Sequence, residues 1–231
     1  MNLDRKPLSL NQYKHIQNLL NERTVPDWKK ALTTNHFKVA AFDEFAELLR
    51  SAPWKWWKAG GECDAWNLKI EAIDVFHFAL SIYILSNTSS RTDNFIFCEH
   101  NKEHNYMIDN NGRIDHNVFI NKALNVLNSI VPLPMQELFE SLGMSALEIT
   151  AIYTAKSELN YIRQDNGYKT GKYTKVVDGI EDNERLKDLV EDFMTDDDMG
   201  IDDLREAVRG NFFIGPDEDV DLEFIGSNEG C

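Results

Sequence analysis

Residues 67–85 read NLKIEAIDVFHFALSIYIL, and the fold turns on them. Leu68, Ile70, Ile73, Val75, Phe76, Phe78, Leu80, Ile82 and Ile84 are too many and too evenly spread for one helix face. A helix apolar nearly all round belongs in the middle of a bundle, wrapped by other helices. Among its polar exceptions, Glu71, Asp74 and His77 are spaced by three, so they share one face. A solvated surface is a poor explanation for carboxylates in such surroundings.

The neighbouring segments supply the wrapping. Residues 10–23 carry Ile16, Leu19 and Leu20 at helical spacing. Residues 37–50 form a second amphipathic helix through Val39, Phe42, Phe45, Ala46 and Leu49, broken by Ser51-Ala52-Pro53. An aromatic stretch over 54–57 and a Gly60-Gly61 loop lead into the central helix. Residues 87–116 are polar and Asn-rich, and read as an insertion with little regular structure. A helix is expected over 118–130, a connector over 131–134, and a short helix over 135–142 ended by Gly143. Ser145, with Glu148 at capping-box spacing, starts a helix that runs to about residue 164. Residues 167–171 read as a turn, and short helices are expected near 184–193 and 201–208. Strand-type alternation is scarce. The expected class is all-α: a helical bundle whose central four-helix core carries a metal site.

The charge is unevenly placed. Of a net −15, all arises from residues 178–231, which hold 19 Asp and Glu against 4 Lys and Arg. That stretch is expected to be a solubilising, partly disordered extension or a docking surface for a protein partner. An acidic chain of this kind is a poor direct binder of nucleic acid. Cys63, Cys98 and Cys231 form no CxxC pair and suggest neither a disulfide framework nor a zinc knuckle. No apolar run reaches membrane-spanning length and no signal region opens the chain, so a cytoplasmic location is expected.

The chemistry concentrates in two clusters. Glu44 and Glu47 are three apart on one expected helix, as Glu71 and Asp74 are on another. Packed side by side, these helices bring four carboxylates together, and such a group persists only if cations neutralise it. Oxygen-only ligands favour Mg²⁺ or Mn²⁺. Asp74-x-x-His77 also fits half of a di-iron site, but Arg50 stands where the other helix would need its histidine. The second cluster is basic. Lys156, Asn160 and Arg163 share a helical face, followed by Lys169, Lys172 and Lys175 on a glycine-bounded loop. Cations opposite a metal suit a polyphosphate. Trp54-Lys55-Trp56-Trp57-Lys58 reads either as a core anchor or as a flat surface for a base with cations near phosphates.

Several stretches carry a resemblance. They are residues 17–21, Glu44-x-x-Glu47, residues 53–58, residues 71–78, and residues 159–169 continuing through Gly171, Tyr173, Lys175 and Gly179 to Glu181-Asp182-Asn183. In order and spacing they resemble the dimeric, all-α dUTPase family, part of the MazG-like nucleoside triphosphate pyrophosphohydrolases. The resemblance covers about residues 10–185, implying a catalytic domain over 1–185 (insertion 87–116) and an acidic extension over 186–231. It implies a homodimer that hydrolyses dUTP to dUMP and pyrophosphate with Mg²⁺, Mn²⁺ being a substitute. Glu44, Glu47, Glu71 and Asp74 would be the metal ligands, with Glu47 also the catalytic group that orients or deprotonates water. Gln17 and Asn21 match positions that read the uracil edge; Trp57, His77, Phe78 and Tyr168 match the base and sugar pocket. Lys156, Asn160, Arg163, Lys169 and Lys175 match the phosphate side, joined by Lys58 or its neighbour Lys55. An amide that can flip would accept uracil or cytosine, so a phage-type dCTP/dUTP pyrophosphatase is an alternative. A nucleotide-gated interaction protein is an alternative of another class.

Overall fold

The computed structural model describes residues 5–55, 57, 58, 62–86, 115, 117–119, 121, 122, 125 and 132–212. Most of the 87–116 insertion, Trp56, Gly60, Gly61 and the end of the acidic stretch lie outside them. The described residues form α1 (Leu10–Thr24), α2 (Trp28–Ala31), α3 (Thr34–Ser51), α4 (Ala65–Ser86), α5 (Pro132–Ser141), α6 (Ala146–Asp165), α7 (Asp182–Thr195) and α8 (Ile201–Phe212). A two-stranded antiparallel hairpin, β1 (Val176–Val177) and β2 (Ile180–Glu181), precedes α7. The fold is all-α, as expected. Among the described residues no helix is long and apolar enough to cross a membrane.

The central position of α4 follows from its composition. It packs along α3 and also meets α1, α5 and α6. Thirteen of its residues, from Leu68 to Tyr83, are buried, Glu71, His77 and Ser81 among them. Tyr13, Phe76, Phe139 and Tyr153 interlock edge to face inside the bundle, where aromatic quadrupoles favour that angle. A smaller apolar cluster of Trp28, Phe37 and Ile82 lies beside it.

Local chemistry sets the helix starts. Ser9 and Gln12 close a capping box on α1, the Gln12 side chain accepting from Ser9 N–H at 2.9 Å. Ser145 caps α6 by accepting from Glu148 N–H at 3.1 Å. The Glu148 carboxylate does not complete a box there; it reaches Lys69 of α4 at 2.6 Å and ties the two helices together. The expected connector over 131–134 differs as well, because α5 already begins at Pro132. Prolines are tolerated in a first turn, where the N–H has no intrahelical partner. The described residues of the 118–130 segment are helical, and Asp115 accepts from Asn117 and Val118 N–H at its start.

Part of the acidic stretch is built into the core. Leu186, Val190, Phe193, Ile201, Leu204, Val208 and Phe212 of α7 and α8 belong to the main apolar cluster. Glu158 of α6 accepts from Arg209 at 2.9 and 3.1 Å and pairs with Arg205 at 3.5 Å. Arg5 donates to the Met194 and Met199 carbonyls at 3.1 and 3.2 Å, and to that of Asp196, and lies over the Phe193 ring. It thereby satisfies carbonyls that the end of α7 leaves open.

Candidate active site

Helices α3 and α4 present the carboxylates to each other. Oxygens of Glu44, Glu47 and Glu71 lie within 4.8 Å of one another. Glu71 is buried, Glu44 half-buried and Glu47 exposed. Glu71 Oε2 is buried with no hydrogen-bond partner. Burial, reinforced by the charge of Asp74, pushes the Glu71 carboxyl up to about 8 and the Glu44 carboxyl up to about 7. The nearby Lys156 charge offsets only part of this, so the site has less positive charge than its carboxylates call for. Its oxygen-only donors and the orphaned Glu71 oxygen fit a hard divalent cation. Glu47 also meets Arg50 at 3.2 Å, a well-exposed pair of little energetic weight.

The fourth expected ligand, Asp74, is occupied differently. Its Oδ2 lies 2.9 Å from Lys156 Nζ, and Lys156 is 2% exposed. Lys156 also donates to Asn183 Oδ1 at 2.7 Å. About two turns along α6, Arg163 donates to both oxygens of Asp182, at 2.9 and 2.7 Å, and to Asn183 Oδ1 at 3.3 Å. Tyr173 adds a hydrogen bond to Asp182 at 3.1 Å. Burial by itself would raise the Asp182 carboxyl, but the Arg163 hydrogen bonds and charge outweigh it and hold it below its ordinary value. Asn160 Oδ1 accepts from Arg163 Nη1 at 3.2 Å. Tyr168, half exposed, lies under Arg163 and Lys175, 6.0 and 5.7 Å from its ring centre. Gly167 and Gly171 flank it at positive φ, 82° and 70°, backbone that favours glycine. Lys169 donates to the Thr24 carbonyl at the end of α1. Lys156, Asn160 and Arg163 therefore do share one face of α6, with Tyr168 and Lys175 beside them.

The expected base residues divide. Gln17 and Asn21 are buried on α1 and belong to a continuous hydrogen-bonded chain. His77 Nδ1 lies 2.6 Å and Tyr153 Oη 3.1 Å from Gln17 Oε1. Gln17 Nε2 donates to Asn21 Oδ1 at 2.9 Å, and Asn21 Nδ2 donates to Ser81 Oγ at 2.9 Å. The His77 ring stacks on Tyr153 at 4.3 Å, while its Nε2 is buried without a partner. Burial pushes the imidazole down to about 4, so it is neutral at pH 7. His77 thus serves the amide chain rather than the carboxylate group, against the di-iron alternative. Phe78 instead packs toward Phe37 and the smaller apolar cluster. Trp57 is 60% exposed and meets Trp54 edge to face at 5.5 Å, and Lys58 is exposed beside it.

Four residues gain a place that sequence reasoning did not assign. Asp182 and Asn183 hold Arg163 and Lys156; only their presence in a matched stretch hinted at it. Ser81 and Tyr153 close the amide chain. Ser81 is a polar exception four residues after His77 in an apolar helix, a faint signal; Tyr153 carried none.

An all-α bundle that sets a carboxylate group able to hold a divalent cation beside buried lysine and arginine has the parts that hydrolysis of a polyphosphate calls for. A family model for dUTPase matches residues 9–168, and the chain belongs to that family. It is a dUTP diphosphatase, a hydrolase of nucleoside triphosphates, from a family that uses a divalent metal. No curated protein matches the chain. The matched residues include all four carboxylates and the amide chain, whereas Lys169, Lys175, Asp182 and Asn183 lie beyond them.

Proposed function

We propose that Glu44, Glu47, Glu71 and Asp74 together hold Mg²⁺, with Mn²⁺ able to replace it, and that the enzyme converts dUTP to dUMP and pyrophosphate in this site. The observation that carries the reading is the convergence of three carboxylates around a buried, unpartnered Glu71 oxygen. When bound, the cation offsets triphosphate charge and makes water a better nucleophile. Glu47, the exposed member, accepts the proton that the attacking water gives up as the α–β phosphoanhydride bond breaks. Lys156, Asn160, Arg163, Lys169 and Lys175, with Lys58 from the aromatic segment, offset charge on the departing pyrophosphate. With Asp74 among the residues that would hold the cation, the Lys156 ammonium now paired with it would be available to phosphate. Gln17 and Asn21 read the base; Trp57, His77, Phe78 and Tyr168 complete the base and sugar pocket.

The active unit is proposed to be a homodimer within the cytoplasm. What supports the dimer is the exposure of Val39 and Phe42 at 72% and 56%, one turn apart on α3, together with the habit of the family. Residues 1–185 are taken as the catalytic domain and 186–231 as an acidic extension whose apolar side chains up to Phe212 pack on that domain, leaving exposed carboxylates such as Asp188, Glu191 and Asp202 available to a protein partner. A MazG-like ancestry and a phage-type source go with this reading. Pyrophosphate release from each dNTP, with Mg²⁺ and with EDTA, tests it. Metal-dependent turnover of dUTP far above the others is expected; equal turnover in EDTA would refute the metal assignment.

A further inference from the structure

The amide chain has a direction, and one residue determines it. Ser81 is fully buried on α4, with Oγ 3.0 Å from the His77 carbonyl one turn earlier. A carbonyl can only accept, so the single hydroxyl hydrogen goes there. Toward Asn21 the Ser81 oxygen is then an acceptor, and Asn21 must present Nδ2 to it. Asn21 Oδ1 is left to face Gln17, which must present Nε2. Gln17 Oε1 is left for His77 Nδ1 and Tyr153 Oη, which donate to it. The opposite end imposes no direction. Tyr153 Oη also lies 3.2 Å from the Tyr13 carbonyl, so it can donate there and accept from Gln17 instead. The neutral imidazole can likewise exchange tautomers. Ser81 and Tyr153 each face a backbone carbonyl, but the Ser81 contact is the shorter, 3.0 Å against 3.2 Å, and Tyr153 lies nearer Gln17 Oε1, at 3.1 Å, than its carbonyl, so the Ser81 end sets the direction.

The direction decides what the chain offers a ligand. Read along it, the unused valences are a hydrogen on Gln17 Nε2, a lone pair on Asn21 Oδ1 and a hydrogen on Asn21 Nδ2: donor, acceptor, donor. The uracil edge O2, N3–H, O4 is acceptor, donor, acceptor, its complement. Cytosine, with O2, N3 and an N4 amino group, matches at only one position. Reversed, the chain would offer acceptor, donor, acceptor. That opposes uracil at every position and suits cytosine at two.

We propose that Ser81 is a positioning residue for pyrimidine selectivity, committing the enzyme to uracil over cytosine by fixing the direction of the Asn21–Gln17 chain. This rests on the reading of Gln17 and Asn21 as the base-contacting pair. The selectivity itself is the readout, since a residue that only packed would lower both substrates together.

The test compares kcat/KM for dUTP and dCTP, with Mg²⁺, in the full-length protein and its Ser81→Ala and Ser81→Thr variants, each checked for folding by thermal unfolding. The wild type is expected to favour dUTP. Ser81→Ala should lower the dUTP:dCTP ratio about tenfold, mainly by improving dCTP, as befits one misdirected hydrogen-bonding chain. Ser81→Thr keeps the hydroxyl and should keep the ratio. An unchanged ratio in folded Ser81→Ala, or an equal fall in both variants, overturns the proposal while leaving the base-reading pair intact. A wild type that turns over neither nucleotide overturns the base reading and the proposal with it.

Discussion

Lys156 Nζ lies 2.9 Å from Asp74 Oδ2, with the lysine 2% and the aspartate 14% exposed. It is a buried cation in direct contact with the carboxylate group, and it is pinned from behind by Asn183. Removing it leaves Asp74 beside Glu44 and Glu71 with their repulsion uncompensated. Lys156→Met is expected to cost about 3 kcal/mol in EDTA, typical for breaking one side of a buried pair. The loss should shrink when Mg²⁺ is added. Urea unfolding under both conditions measures it; equal stability of wild type and variant in EDTA would mean that Lys156 does not balance the carboxylates.

Without metal, pH should act on the same group. Glu71 and Glu44 titrate near 8 and near 7 in the folded chain against an ordinary 4.5, chiefly through burial. The unfolded chain therefore loses these protons first. Stability in EDTA is expected to fall as pH rises from about 4.5 to about 8, and to level off above that. A divalent cation, which competes with protons for the carboxylates, should bind more tightly across the same interval and restore the melting temperature. Melting curves from pH 4.5 to 9, with and without Mg²⁺, decide this. A metal-free protein that gains stability over that range from these groups would contradict it.

Glu47 separates catalysis from folding. It is exposed and its single pairing, with Arg50, is weak. Glu47→Gln should lower dUTP turnover by roughly 10²- to 10⁴-fold, the range of a general base, while stability changes by less than about 0.5 kcal/mol. Retained turnover would remove Glu47 from its role. Lost turnover with tight dUTP binding intact would still be catalysis lost, and not a fold failure.

Asp182 ties the beginning of α7 to Arg163 through two hydrogen bonds. Asp182→Ala is expected to cost about 3–5 kcal/mol by stranding a buried guanidinium. Because the Asp182 carboxyl is held below its ordinary value of 3.8, the stability it contributes is present above that pH and lost as pH falls below it. Acid unfolding of the variant should accordingly lose part of the wild-type slope. Deleting residues 182–231 removes the seven core side chains of α7 and α8 as well, and should abolish cooperative unfolding by circular dichroism.

Much of this protein was legible in its residues. The all-round apolarity of 67–85 placed α4 at the centre, because such a helix has no face it can leave in water. Glu44, Glu47, Glu71 and Asp74 announced themselves by threefold spacing, since residues three apart share a helix face whatever the fold. The start of α5 at Pro132 was missed because a proline breaks a helix interior and opens a first turn equally well. The helices near 184–193 and 201–208 were legible, but their burial was not, because the charge of the stretch conceals a narrow apolar stripe, from Leu186 to Phe212, that becomes core only when α6 lies against it.

What sequence alone determined is what depends on neighbours a few positions apart: the helices, their apolar stripes, and the carboxylate and basic faces. What only the tertiary structure decided is which face meets which. Asp74 meets Lys156 across 82 positions of sequence, Arg163 meets Asp182, and Gln17 meets His77, Tyr153 and, through Asn21, Ser81. Hydrogen bonds and ion pairs have ranges of a few ångströms. Partners so distant along the chain are therefore chosen by the packing of whole helices and leave no mark on local spacing.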